Sequence, residues 1–101
     1  MTYDWKAIVV DLSLLNEAVA GFDKRYVEQR QTFIRVGEYD LALDGIAAAY
    51  LDNKVEIPPD LLQVFKKLAV TLDTEKDPEY ASVAELRARM KARPGWSQAP
   101  G

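Results

Sequence analysis

The chain contains neither cysteine nor histidine. Without cysteine there is no disulfide, no thiol nucleophile and no thiolate metal site. Without histidine it lacks the side chain that titrates nearest neutral pH, and with it the commonest zinc ligand. A zinc or non-heme iron centre is therefore not expected. The phosphate-cradling, dinucleotide-binding, zinc-protease, nucleophile-elbow and calcium-loop motifs are missing as well. The expectation is a protein that is not an enzyme and carries no cofactor and no metal. No apolar run is long enough to span a bilayer. At the N-terminus, Asp4 and Asp11 bracket the short apolar stretch Ala7-Ile8-Val9-Val10, which does not fit an export signal. The C-terminus carries no lipidation motif. Both observations point to the cytoplasm. No run of four or more residues alternates as a strand would.

What remains is helical. The 101 residues are 49% hydrophobic and 29% charged, a globular balance sufficient for one domain. Trp5, Ile8, Val9, Leu12, Leu15 and Val19 share one helical face, which predicts a helix over 4–20 with Asp4 as N-cap and Gly21 as a left-handed stop. A second helix is expected over 23–36, capped by Asp23 and ended by Gly37. Its apolar set is Tyr26, Val27, Phe33 and Ile34, and Lys24, Arg25, Arg30 and Arg35 make it basic. A third, over 38–51, turns Tyr39, Ala42, Leu43, Ile46, Ala47 and Tyr50 inward. Gly45 and Ala47-Ala48-Ala49 form a small-residue zone that lets a neighbour approach closely. Gly45 costs ~1 kcal/mol of helix propensity, which close packing would offset. Pro58-Pro59 resets the chain for a fourth helix over 59–72, with Leu61, Phe65, Leu68 and Leu72 as its stripe. The polar stretch Asp73–Pro78 breaks it. A fifth helix over 82–92 opens on the capping box Ser82-Val83-Ala84-Glu85, buries Val83, Leu86 and Met90, and stops at Pro94-Gly95. The fold class is thus all-α: a small single-domain bundle of four to five helices over residues 1–95, with 96–101 as a flexible tail that includes Trp96.

Charge is unevenly divided along the chain. The formal net charge is −3, yet residues 38–60 hold Glu38, Asp40, Asp44, Asp52, Glu56 and Asp60 against Lys54 alone, a local charge of −5. Residues 23–37 carry +2. The acidic block reads either as a solvated face, since helix starts favour Asp and Glu, or as a docking patch for a basic partner. Tyr39 and Tyr50 would supply aromatic area to such a patch. Direct nucleic-acid binding is disfavoured by the overall acidity. Asp40 and Asp44, one helical turn apart, could in principle do acid–base work, which would require a concave pocket around them.

The stretch Phe33-Ile34-Arg35-Val36-Gly37-Glu38-Tyr39-Asp40-Leu41-Ala42-Leu43-Asp44, followed by Asn53-Lys54-Val55-Glu56-Ile57-Pro58 and a Leu/Phe-rich helix, resembles the MafI-type immunity proteins of bacterial polymorphic toxin systems. The similarity covers residues 27–73. The chain departs from that pattern after the Ile-Pro step, where Pro59-Asp60 replaces the usual Ser or Thr cap. The resemblance implies a protein that neutralises a cognate toxin domain by stoichiometric occlusion. Such a toxin could be a basic nuclease, against which an acidic patch would occupy the place of phosphate charge. Two alternatives stand beside it. Gly37-Glu38-Tyr39-Asp40 with Leu41-Ala42 and Tyr50 also looks like one tetratricopeptide-type hairpin, although no second copy follows at a 34-residue interval. That would make the chain a helical adaptor. A homodimer built on the stripe Leu61–Leu72 is the other.

Overall fold

A computed structural model describes residues 4–72 and 81–91. Five helices follow in order: α1 (Trp5–Val19), α2 (Val27–Arg35), α3 (Tyr39–Asn53), α4 (Pro59–Leu72) and α5 (Ala81–Lys91). There is no strand among the described residues. The break over 73–78, the Pro94-Gly95 stop and the tail 96–101 lie outside the described residues, as do the side chains of Met90 and the basic residues that end α5.

Most helix ends follow the local chemistry. The Asp4 side chain accepts from the amide of Ala7 at 3.0 Å and caps α1. Gly37 adopts φ +85° and closes α2 in a Schellman turn. The Glu38 amide donates to the Phe33 carbonyl at 2.8 Å and the Gly37 amide to Ile34 at 3.3 Å. Three ends differ from expectation. Gly21 is not left-handed. α1 ends instead at Ala20 in right-handed backbone, and the amides of Phe22 and Asp23 both return to the Val19 carbonyl. Asp23 does not cap α2, which starts four residues later, because its carbonyl and carboxylate face Arg30. α3 runs on to Asn53 and stops at Lys54, which takes the left-handed conformation (φ 56°) that glycine normally supplies.

α3 is the central helix and touches each of the other four. Its buried residues Ala42, Leu43, Ile46, Ala47, Ala49 and Tyr50 form one broad inner face, and Asp44, Gly45, Ala48 and Leu51 on its flanks are half-buried, as neighbours on several sides require. Around it pack Leu12, Leu15 and Val19 of α1, Ile34 of α2, Phe65 and Leu68 of α4, and Val83 and Leu86 of α5. The contact of α3 with α5 is the most extensive between any two helices. Trp5 does not join the core. Although it lies on the apolar stripe of α1, it is 61% exposed.

The bundle also encloses one of the four bases of the second helical segment. Arg30 is only 2% exposed. Its Nε donates to Asn16 Oδ1 at 2.5 Å, its Nη2 donates to the Asp23 carbonyl at 3.2 Å, and Nη1 lies 3.9 Å from the Asp23 carboxylate. Asn16, equally buried, spends its amide protons on the Val27 carbonyl (3.1 Å) and Gln31 Oε1 (3.3 Å). Burial pulls the Arg30 guanidinium below its ordinary value, and the charge of Asp23 opposes that shift. The aliphatic stem of Arg30 lies against Gly45. A β-carbon at Gly45 would come within 3.2 Å of Arg30 Cγ and Cδ. The small residue thus accommodates a side chain crossing from α2, while the alanines beyond it lie on the same central helix that meets α5.

Two outcomes follow for urea unfolding. Asn16→Ala leaves the Arg30 Nε and the Val27 carbonyl without their partner and lowers stability by about 1–3 kcal/mol. Replacing both members with apolar residues of similar volume, Asn16→Leu with Arg30→Met, costs less than the two single changes added together. Gly45→Ala does not deliver the ~1 kcal/mol of helix propensity in the native chain, because Arg30 is held at both ends of its guanidinium. In an Arg30→Ala background the same substitution does stabilise, and equal gains in both backgrounds would refute the contact.

Candidate acidic docking surface

A central helix can show charge only where its neighbours leave gaps. The six acids of residues 38–60 therefore fall into separate environments. Glu38 is exposed at the N-terminal edge of α3, and Asp40 is half-buried in its first turn. Asp44 points at α5: its Oδ1 accepts the amides of Ser82 at 3.1 Å and Val83 at 3.2 Å. Asp44 therefore caps a helix far away in sequence. The Ser82 box does not do so in the expected way, since α5 begins one residue earlier and Ser82 stands inside its first turn. Burial pushes the Asp44 carboxyl above its ordinary value, against the lowering effect of the two amides.

The remaining three acids gather elsewhere. Asp52 lies in the last turn of α3, about 12 Å along the axis from Asp44 at 1.5 Å per residue, and is exposed. The connection that follows alternates. Val55 and Ile57 pack against the core and Glu56 between them is exposed. Asp60 is exposed in the first turn of α4. Its charge acts on the Tyr50 phenol, which burial and then Asp60 push upward, so the start of α4 lies beside the last turn of α3. Asp52, Glu56 and Asp60 thus share one end of the molecule, and the base within that block is Lys54, held at the left-handed turn.

The two tyrosines do not lie where a docking patch would use them. Tyr50 is 2% exposed, with its ring 5.4 Å from that of Phe22. It is a core residue and is withdrawn from the surface set. Tyr39 is half-buried and packs against the core. Phe22, which covers Tyr50, was missed by periodicity because it sits in a turn.

The Asp44 carboxylate, which acid–base chemistry with Asp40 would need, accepts the first amides of α5. A shallow groove lies between α1 and α2, lined by Asn16, Glu17, Val27, Glu28, Gln31 and Arg35. Among the described residues, no group of three or more acidic side chains could hold a metal ion. No described helix is long and apolar enough to cross a membrane. No family model, curated protein or solved structure matches the chain.

The Asp44 environment sets a pH dependence. Its folded-state pKa lies above the ordinary 3.8, so folding takes up protons in that range. The associated stabilisation is complete below the ordinary value and is lost as the pH rises through the raised one. Asp44→Asn retains the acceptor without the charge. Urea midpoints of the native chain and of this variant should therefore converge on acidification through the window just above 3.8 and separate as the pH rises, with the variant the more stable. Parallel curves would refute the shift.

Proposed function

We propose that the protein is an inhibitor of the immunity type, which binds a basic toxin domain through the acidic end formed by Asp52, Glu56 and Asp60 and neutralises it by occlusion in the bacterial cytoplasm. The observation that carries this reading is the exposure of these three acids at one end of the bundle, with Asp40 and Glu38 further along the same segment. Complementary potential at such an edge steers association and selects partners. The resemblance of residues 27–73 to MafI-type immunity proteins supplies the identity of the partner class. No reacting group is required, in keeping with a chain that has no histidine or cysteine.

The tyrosines have no part in this version, and Asp44 is set aside for its role under α5. For the homodimer alternative, Phe65 and Leu68 of the stripe Leu61–Leu72 are buried inside the monomer, while Leu61 and Leu72 are half-buried; the acidic end is the reading we pursue.

The test is co-expression with candidate toxin domains, followed by pull-down and titration at several salt concentrations. Reversing charge at Asp52, Glu56 and Asp60 together should weaken the complex about ten-fold or more and flatten its salt dependence. The same reversal at Glu17 and Glu28, on the groove between α1 and α2, should leave both unchanged. Equal effects from the two sets, or none from the first, would remove the acidic end from the interface.

A further inference from the structure

α1 is apolar on two sides. Its inner face, Ile8, Leu12, Leu15 and Val19, is buried in the bundle. The opposite side carries Val10 and Leu14, one turn apart, which are 65% and 45% exposed. The half-buried Ala7 and Ala18 continue the same stripe at helical spacing. α2, α3 and α4 all pack on α1, yet they leave Val10 and Leu14 to solvent.

The charges at the two ends of this stripe are the reverse of what the helix itself prefers. A helix start favours acids and a helix end favours bases. Beyond the Asp4 cap, α1 has no acid in its first turn, and it has no base in its last. Lys6 stands in the first turn and Glu17 in the last, both exposed and both on the side of Val10 and Leu14. The Lys6 ammonium lies 5.7 Å from the centroid of the Trp5 ring. Among the described residues, neither Lys6 nor Glu17 joins an ion pair within the chain. They lie about 16 Å apart along the helix axis, too far to pair with each other.

A second copy of α1 laid antiparallel answers both features. In the register that sets Val10 against the partner's Leu14, two-fold symmetry sets Leu14 against the partner's Val10. Lys6 then falls within one residue of Glu17 of the partner subunit, and this pair also occurs twice. Each Lys6 meets the C-terminal end of the partner helix and each Glu17 its N-terminal end, where the dipole of that helix favours them. Ala7 and Ala18 let the two backbones approach. A parallel pairing would instead oppose like charges at both ends.

We propose that the chain self-associates through the outer face of α1 as an antiparallel two-fold dimer, in which Val10 packs on the partner's Leu14 and Lys6 pairs with Glu17 of the partner subunit. The stripe from Ala7 to Ala18 is about 17 Å long. That is short for a standard interface, so the dimer is weak and forms at high protein concentration. It uses neither the acidic end nor the stripe of α4, and it stands or falls apart from toxin binding.

Sedimentation equilibrium of the full chain at low salt, from about 10 μM to about 1 mM, tests this. A reversible monomer–dimer equilibrium is expected, and a monomer at every concentration would overturn the proposal. Val10→Lys should raise the dimer Kd about ten-fold or more, because it places a charge at the apolar centre. Lys6→Glu and Glu17→Lys should each raise it about five-fold, since each brings like charges together twice. Combined in one chain, the two reversals should return the Kd to within about two-fold of the native value, as complementary pairs are re-formed. Both reversals suit the helix dipole, and unchanged circular dichroism separates loss of contact from loss of fold. A dimer indifferent to any of the single changes would place the interface elsewhere. A double variant no better than the singles would refute the antiparallel pairing.

Discussion

A guanidinium enclosed among helices fixes the arrangement of this bundle. Arg30 cannot shed its proton, so the fold must surround it with oxygen. It does so with the Asn16 amide on one side and Asp23, through both carbonyl and carboxylate, on the other. These partners come from α1 and from the turn before α2, so satisfying one charge sets the register of two helices and shapes the link between them. It also explains why α2 starts late, since the residue that would have capped it is engaged with the guanidinium. Such a group adds little net stability over an apolar core of equal volume, yet it penalises any packing in which its partners are absent.

The same side chain dictates a feature of α3. Its stem crosses the central helix at Gly45, where a β-carbon would crowd it. The residues around the rest of α3 are small or apolar because neighbours cover the helix on several sides. Charged residues on such a helix have two outlets. They lie toward an end, as Asp40 and Asp52 do, or they find a partner in the covering helix, as Asp44 does at the start of α5.

Helix order and the ends set by local chemistry were legible in the sequence: the Asp4 cap, the Gly37 stop, the Pro58-Pro59 restart and the stripe over Leu61–Leu72. What was not legible depends on contacts between distant segments. Arg30 reads in the sequence only as one of four bases of its helix, and the proximity of Asn16 and Asp23 is what accounts for its burial. Asn16 falls on the apolar side of α1, the one local hint that a polar partner faces it. Trp5 fits the period of α1 but is exposed. Asp44 and Asp52 look equivalent on a charge count, because nothing in the local sequence shows that a helix thirty-eight residues away in the chain ends on one of them.

The division among the acids bears on how the family resemblance should be used. Within the stretch that carries it, Gly37 closes α2, Ala42 and Leu43 are buried, Tyr39 packs against the core and Asp44 holds α5. These are requirements of the scaffold, and any chain with this bundle would meet them whatever it binds. Recognition has to use side chains that the fold leaves exposed, because substitutions there change stability least. At the far end of α3 the constraints are few: Val55 and Ile57 pin the connection inward and Lys54 makes the turn. Asp52, Glu56 and Asp60 stand on that pinned backbone with their charges outward. A rigid support beneath exposed side chains reduces the ordering cost of association, which is why an inhibitor acting by occlusion is better served by this end than by the flank where Asp44 meets the start of α5.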